Sequence, residues 1–367
     1  MELLSSGVAL QTVPEKYIFP AHKRPAKELV DSSVALPVID LRGGRLQGDG
    51  RDEIVREIVD AGKQFGFFQV GFLLEFPVPS QERSQTLWRV ALLQVVNHGV
   101  PEQLIEHMVG VSEELFNMPV EEKAKYYSDD PSIICRLGSS TPYDQNGIRY
   151  WRDYLKLVCY PVEEFMHLWP QKPDKFREVL AKYIVEVREL ADKLLRLIAE
   201  GLGLEQDYFS GGFSGGQTQM NVNYYPPCPD PSLTLGLLPH CDRHLITLLV
   251  QGTAARGLQA KFEGKWIPVE PIRNAFVVNF GHQLEIITNG VLRSVEHRAV
   301  TNTSVARLSI ASLIMPKTDC LIAPAKSLIN EHNPPKYKSF TFEEFLSAYN
   351  AAAANREGVL EYFKIEE

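Results

Sequence analysis

His240 and Asp242, two positions apart, and His297, beyond several further apolar runs, have the residue types and spacing to hold one metal ion. Along an extended strand, side chains at i and i+2 point to the same side, so an apolar strand carrying His240 and Asp242 would offer both to one ion. A third imidazole from a neighbouring strand would complete one face of an octahedron and leave three positions open. Two histidines and one carboxylate in that facial arrangement suit Fe(II), with substrate and O2 at the open positions. Soon after His297, Arg307 and Ser309 repeat the i, i+2 spacing inside the apolar run ARLSIASLIM. A guanidinium fork beside a hydroxyl can grip a carboxylate, and an arginine left unpaired in such a run would be costly.

Singly these signals are weak. His-x-Asp arises often by chance, and an isolated histidine such as His297 is more often a core or surface residue than a ligand. Their order and spacing together carry the reading. Cys241 sits between two proposed ligands, but alternation turns it to the opposite side, so it is not expected to coordinate.

The elements that must position these residues change in texture along the chain. Residues 1–35 read as a loosely ordered lead-in, and LPVIDL (36–41) as a short strand. RDEIVREIVDAGKQFG then carries Ile54, Ile58, Ala61 and Phe65 at helical spacing, and FFQV (67–70) resumes strand character. Pro101 opens a second helix. The longest helix is expected from about Pro173 to Ile198, with an apolar stripe from Phe176 through Leu190 to Ile198 and an end at Gly201 or Gly203. From about 216, short strands alternate with turns: TQMNVNYY, HLITLLVQ, GLQAKF, WIPVEP, AFVVNF and LSIASLIM, with Glu263-Gly264 as a hairpin turn. That density predicts an antiparallel barrel or jelly roll. FTFEEFLSAYN, after Pro334-Pro335, reads as a closing helix. The segment from Gly71 to Gln94 fits neither periodicity and interrupts what would otherwise run as FGFFQVVNHGV. Two readings stand open: an intron retained in frame, or a lineage-specific loop.

Composition narrows the function classes. The chain has 367 residues and a net charge of -8, and its pI is near 5.7, which argues against nucleic acid or an anionic membrane as main partner. No apolar run is long enough to span a bilayer. Glu2 and the lack of a basic stretch before an apolar one argue against a secretory signal. Five scattered cysteines without a CxxC pair fit a reducing, cytoplasmic setting. The expected partner is a small-molecule substrate, and a monomer is the working expectation.

The segments LPVIDL, FGFFQV, VNHGV, NMPVEEK (117–123), NYYPPCPDP (223–231), PHCDRHLITLL (239–249), FVVNFG (276–281), NGVLRSVEHRAVTN (289–302) and ARLSIASL (306–313) resemble, along nearly the whole chain, plant soluble 2-oxoglutarate- and Fe(II)-dependent dioxygenases. Within that family the likeness is greatest to deoxymugineic-acid dioxygenases, with hyoscyamine 6-hydroxylase somewhat further off. The resemblance implies a mainly β fold with flanking helices and a double-stranded β-helix (jelly-roll) core. It implies Fe(II) on His240, Asp242 and His297, 2-oxoglutarate on Arg307 and Ser309 with Asn223 and Tyr225 beside it, and O2 as co-substrate, with ascorbate helpful in turnover. His282 stands after Gly281 where many members carry an aspartate, although that position is not a ligand. The domain reading is an N-terminal region at 1–215, the Fe(II)/2-oxoglutarate core at 216–317 and a C-terminal extension at 318–367.

The expected reaction hydroxylates an unactivated C–H bond of a small specialised metabolite, with release of succinate and CO2. The resemblance places Arg149, Tyr150, Trp151 and Arg152 near the pocket mouth, and Arg243, beside Asp242, is a second candidate. A cationic lining would suit a substrate bearing carboxylates, such as a mugineic-acid-type aminocarboxylate. These arginines could equally pair with surface carboxylates, and Tyr150 and Trp151 could be core. The alternatives are the same chemistry on an alkaloid, flavonoid or indole hormone, by hydroxylation, epoxidation or desaturation, or a poorly folding splice variant without activity.

Overall fold

The computed structural model describes residues 3–5, 10–25, 37–41, 47–70, 98–140, 147–252, 254–352 and 358–365. The 71–94 segment lies outside the described residues. In chain order the elements are β1 (Val38–Ile39), α1 (Asp49–Gln64), β2 (Phe67–Val70), α2 (Glu102–Asn117), α3 (Val120–Lys123), β3 (Arg136–Ser139), β4 (Asp153–Tyr160), α4 (Val162–Phe165) and α5 (Phe176–Gly201). There follow β5 (Thr218–Tyr225), β6 (Leu237–His240), β7 (Ile246–Gln251), β8 (Leu258–Phe262), β9 (Lys265–Pro268), β10 (Phe276–Phe280), α6 (His282–Ile287), β11 (His297–Ala299) and β12 (Arg307–Ile314). β13 (Leu321–Ile322), β14 (Phe340–Thr341), α7 (Phe342–Ala351) and α8 (Val359–Tyr362) complete the described chain.

Eight strands form one sheet in the order β1-β2-β10-β7-β12-β5-β4-β3, and four form a second in the order β6-β11-β8-β9. Between β5 and β12 the chain passes back and forth between the two sheets, which makes them the walls of a jelly roll. Strand parity then sorts the side chains. On β12, Leu308, Ile310 and Ile314 join the main apolar core, while Arg307, Ser309, Ala311 and Leu313 line a cavity between the sheets. β7 divides in the same way: Ile246, Leu248 and Val250 pack outward, and Thr247 and Leu249 face the cavity.

The outward face is covered by α5, whose apolar stripe packs on β4, β7 and β12 and against α1 and α2. α5 begins and ends three residues later than the sequence suggests. Phe176 N–H donates to the Pro173 carbonyl (3.0 Å) in a preceding turn, and Lys175 there has φ 73°. At the other end Leu204 N–H returns to the Ala199 carbonyl at 2.9 Å, which requires the left-handed backbone that Gly203 adopts at φ 68°.

The expectation of a loose lead-in is corrected for its described part. Leu3, Val13, Tyr17 and Phe19 are buried. The backbone amides of Leu4 and Ser5 donate to the buried Asp153 carboxylate at 3.1 and 2.6 Å. The reason is cover: Tyr17 meets the indole of Trp151 edge-on, with centroids 5.2 Å apart, and a buried tryptophan needs apolar neighbours from somewhere. Glu263 and Gly264, at φ 48° and 79°, make the two-residue hairpin turn between β8 and β9. The Thr341 side chain and Glu344 form a reciprocal cap at the start of α7.

Candidate active site

The small sheet supplies the imidazoles. His240, at the end of edge strand β6, stands directly opposite His297 on β11, and their rings are 4.2 Å apart. The ladder is irregular here, and Pro239, which has no N–H to give, is tolerated because β6 is an edge. Each ring turns its Nδ1 to a carbonyl two residues back: Leu238 at 2.8 Å for His240 and Val295 at 3.1 Å for His297. Both Nε2 atoms therefore point inward, 4.0 and 3.9 Å from Asp242 Oδ1. One ligand atom from each of the three residues falls within 4.8 Å of the others.

Asp242 does not lie on the strand, as the sequence spacing suggested; β6 stops at His240 and the aspartate follows in the turn. Its position is held by the corner between β10 and α6. His282 N–H donates to the Asp242 carbonyl (2.8 Å) and Gly281 N–H to that of Leu245 (3.0 Å). The corner approaches so closely that a Cβ on Gly281 would fall 1.8 Å from the His244 carbonyl oxygen. Asp242 Oδ2 accepts from Thr247 Oγ1 (2.6 Å) and Asn279 Nδ2 (3.3 Å), and Thr247 and Asn279 are register partners on β7 and β10. Because the Thr247 hydroxyl gives its one proton to Asp242, it accepts from His244 Nε2 at 2.7 Å.

The electrostatics suit a cation. Burial works to raise the Asp242 carboxyl, but His244 and His297 beside it outweigh that and hold it well below the ordinary carboxylate range. Burial, and then His297, push the His240 imidazole down to about 3, so at neutral pH its inward nitrogen carries a lone pair. The donor set is thus two imidazole nitrogens and one carboxylate oxygen, each oriented by a second hydrogen bond. Cys241 turns away, toward the Ser294 carbonyl (3.7 Å).

The large sheet supplies the other half of the cavity. Arg307 is 2% exposed. One guanidinium nitrogen donates to Gln251 Oε1 at 2.9 Å, the Tyr225 ring lies 5.1 Å away, and its buried Nε has no partner. Arg307 and Ser309 pair across to Tyr225 and Asn223 on β5, so all four face the same space. Asn223 Oδ1 accepts from Arg152 at 3.1 Å. The three metal-ligand candidates line this cavity of about 90 Å³ together with Arg307, Ser309, Asn223, Tyr225 and Arg152. A buried cation with an unused donor fits a carboxylate guest at one end, and the His-Asp-His face fits Fe(II) at the other.

The four substrate candidates do not line this cavity. Arg149 N–H is bonded to the Lys16 carbonyl (2.7 Å), and Tyr150 stacks on Phe19. Trp151 is 1% exposed in a small core, and its indole N–H donates to the Pro226 carbonyl at 3.0 Å. Arg243 lies over the Tyr349 ring at 5.4 Å. None of the four is among the cavity-lining residues, whereas their neighbour Arg152 is. His244, Thr247 and Asn279 were missed in the sequence, although Thr247 shares the inward parity of Leu249.

A jelly roll with a facial two-histidine, one-carboxylate cluster at one end of its cavity and a buried arginine at the other defines a non-haem iron oxygenase. Comparison with known proteins agrees. Residues 216–316 match the family model of the 2OG-Fe(II) oxygenase superfamily, and residues 77–172 that of the non-haem dioxygenase in morphine synthesis N-terminal region. The chain is 43% identical to 2'-deoxymugineic-acid 2'-dioxygenase of Hordeum vulgare, over 95% of this chain and 93% of that protein. It is 41% identical to mugineic-acid 3-dioxygenase of Hordeum vulgare, over 94% and 91%. The solved structure of JOX2 in complex with 2OG, Fe and JA superposes with a TM-score of 0.80 at 31% identity, covering 98% of this chain and 96% of that one. The chain belongs to the 2OG-Fe(II) oxygenase superfamily and is a 2-oxoglutarate-dependent dioxygenase that uses Fe(II) and O2. Among the described residues, no helix is long and apolar enough to cross a membrane.

Proposed function

We propose that this dioxygenase hydroxylates an unactivated C–H bond of a mugineic-acid-type aminocarboxylate, with residues 216–317 as catalytic core and 1–215 and 318–367 as its support. The observation that carries the reading is the single cavity that His240, Asp242 and His297 share with Arg307 and Ser309. The likeness to two dioxygenases named for mugineic acids supports the substrate class. His240, Asp242 and His297 would hold Fe(II), and Arg307 and Ser309 the far carboxylate of 2-oxoglutarate, with Asn223 and Tyr225 beside it. When bound, the metal and 2-oxoglutarate supply the oxidising chemistry with O2, at the cost of oxidative decarboxylation to succinate and CO2.

The side chains of this chain bind, orient and exclude. Thr247 and Asn279 fix one carboxylate oxygen of Asp242 and so aim the other inward. The carbonyls of Leu238 and Val295 fix the two imidazole tautomers. Gln251 and Tyr225 hold the Arg307 guanidinium in place before any guest arrives. The apolar walls Leu237, Leu249, Leu258 and Leu313 keep bulk water from the reacting centre.

Succinate formation from 2-oxoglutarate, with Fe(II) added anaerobically and ascorbate present, measured with and without deoxymugineic acid, tests this function. Succinate stimulated by that compound, with a hydroxylated product, supports it. Slow, unstimulated succinate rejects this substrate and turns the search to alkaloids, flavonoids and indole hormones. Asp242→Ala removes the one anionic ligand and is expected to abolish turnover; retained activity would overturn the metal assignment.

A further inference from the structure

Tyr225 has an arginine on each side. Its register partner on β12 is Arg307. On the other side β4 pairs with β5 so that Asp153 faces Tyr224 and Tyr154 faces Asn223, and Arg152, one residue before β4, continues that register toward Tyr225. Alternation gives Arg152 the inward side that Asn223 and Tyr225 share, and turns Asp153 the other way. The Asp153 carboxylate is taken up there by the amides of Leu4 and Ser5. Arg152 and Arg307 both line the cavity with the metal-ligand candidates. Arg307 is 2% exposed, whereas Arg152 is half-buried.

The Arg152 guanidinium is held in place but not neutralised. Its Nη1 donates to Asn223 Oδ1 at 3.1 Å, and the rings of Tyr154 and Tyr150 lie 5.2 and 5.7 Å away. Its Nε is buried without a partner, and the side chain has no further hydrogen bond and no ion pair among the described residues. The edge made by Nε and Nη2 is therefore unused, and such an edge matches the two oxygens of a carboxylate. The third cavity-lining arginine, Arg298, differs: it donates to Gln259 (2.7 Å) and lies over Trp266 at 4.2 Å. Burial lowers its pKa to about 10, against the nearby charge of Glu296. Asp242 is the one carboxylate among the cavity-lining residues, and it belongs to the metal face. With Fe(II) and 2-oxoglutarate bound, the metal and Arg307 would balance Asp242 and the two co-substrate carboxylates, which leaves Arg152 without a counter-charge. After burial and His297, the Arg152 charge is among those that lower the His240 imidazole, so it acts close to the metal face. A cation so placed favours an arriving anion.

We propose that Arg152 reads a carboxylate of the substrate through the free edge of its guanidinium, beside the Tyr150 and Tyr154 rings, while Arg307 is kept for 2-oxoglutarate. This rests on the reading above that a carboxylate-bearing guest enters this cavity. Asn223, which accepts from Arg152 and faces Ser309 across β5 and β12, stands between the two anion sites and keeps them in register. The subsite selects a guest by its charge and does not require an amino acid.

The test is calorimetric titration of the Mn(II)- and 2-oxoglutarate-loaded protein without O2. The probes are deoxymugineic acid, indole-3-acetic acid and salicylic acid, each beside its fully methylated ester. At least one acid is expected to bind, and wild type should prefer it over its ester by about tenfold to hundredfold, the loss expected for a hydrogen bond to a charged group. Arg152→Met should weaken that acid by a similar factor of about tenfold to hundredfold and remove the preference over the ester. Affinity for 2-oxoglutarate, titrated separately, should stay within about threefold, as for a distinct site. Arg152→Lys should recover part of the loss, since the charge is kept and the planar fork is not. An acid bound equally by wild type and folded Arg152→Met overturns the proposal. So does a loss confined to 2-oxoglutarate, which would make Arg152 part of the co-substrate site. Should Arg152→Met fail to fold, the wild-type comparison decides, and an ester bound as tightly as its acid overturns the proposal. Succinate stimulated by deoxymugineic acid, with no effect of Arg152→Met on its binding, overturns the subsite and keeps the substrate reading. Binding of another acid but not of deoxymugineic acid, lost in Arg152→Met, keeps the subsite and rejects that reading. A wild type that binds none of the acids overturns both.

Discussion

Replacing Arg307 by methionine separates ligand recognition from folding. The guanidinium is 2% exposed, has one hydrogen bond to a neutral acceptor and leaves Nε without a partner; burial lowers its pKa. An incompletely paired buried charge stabilises a fold little, and replacing it with an apolar chain of similar reach is often neutral or favourable. The protein without 2-oxoglutarate should therefore melt at an unchanged or higher temperature. The opposite holds for the co-substrate: a charge-assisted contact to its carboxylate is worth about 1.5–3 kcal/mol, so its affinity should fall about tenfold to hundredfold. Ligand-induced stabilisation follows RT ln(1 + [L]/Kd), about 2.7 kcal/mol at 100 Kd and only about 0.4 kcal/mol after a hundredfold loss. With an unfolding entropy of about 2.1 cal/mol/K per residue, a chain of this length shifts by roughly 1.3 °C per kcal/mol, so a rise of about 3.5 °C in wild type should shrink to about 0.5 °C. Differential scanning fluorimetry on the Mn(II)-loaded protein reads both quantities. A variant that loses several degrees without 2-oxoglutarate yet keeps the full ligand-induced rise would refute the reasoning, because Arg307 would then be structural.

Three further outcomes are expected. Thr247→Val keeps the shape but leaves Asp242 Oδ2 and His244 Nε2 without their shared hydroxyl; metal titration should show affinity reduced about tenfold to hundredfold, as when an outer partner of a ligand is lost. Gly281→Ala forces backbone apart, since its Cβ would fall 1.8 Å from the His244 oxygen; thermal melts should show a loss of about 1–3 kcal/mol or more, and the metal should bind poorly. Burial lowers the His98 pKa, opposed in part by its bond to Asn274. It is held neutral, donating from Nε2 to that carbonyl and accepting at Nδ1 from Val100 N–H. A group with a lowered folded pKa contributes stability above its unfolded value, about 6.5, and loses it as pH falls, so His98→Gln should show a shallower drop in melting temperature on the acid side of 6.5.

Alternation made much of this site legible before any coordinates. The i, i+2 spacing of Arg307 and Ser309 correctly places both on one face, because β12 is a long regular strand with apolar residues at the intervening positions. The same rule brought His240 and Asp242 together for a partly mistaken reason: β6 ends between them, and a turn clamped by Gly281 does the placing. That clamp comes from a segment far along the chain, so no local pattern announces it. The substrate expectation at Arg149, Tyr150 and Trp151 came from the family resemblance, which places the stretch before β4 near the pocket mouth. β4 begins at Asp153, and Trp151 is drawn into a small core by Tyr17, which the sequence assigned to a loose lead-in.

The alternation along β7 and β12 has a consequence for how the site responds to substitution. Because pleating sends every second residue inward, Thr247 braces Asp242 from the same strand whose next residue, Leu248, packs in the main core. A substitution at Leu248 or Ile310 therefore acts on packing, and one at Thr247 or Ser309 on the cavity, although the positions adjoin. Packing and cavity chemistry are thus carried on opposite faces of the same strands, one residue apart.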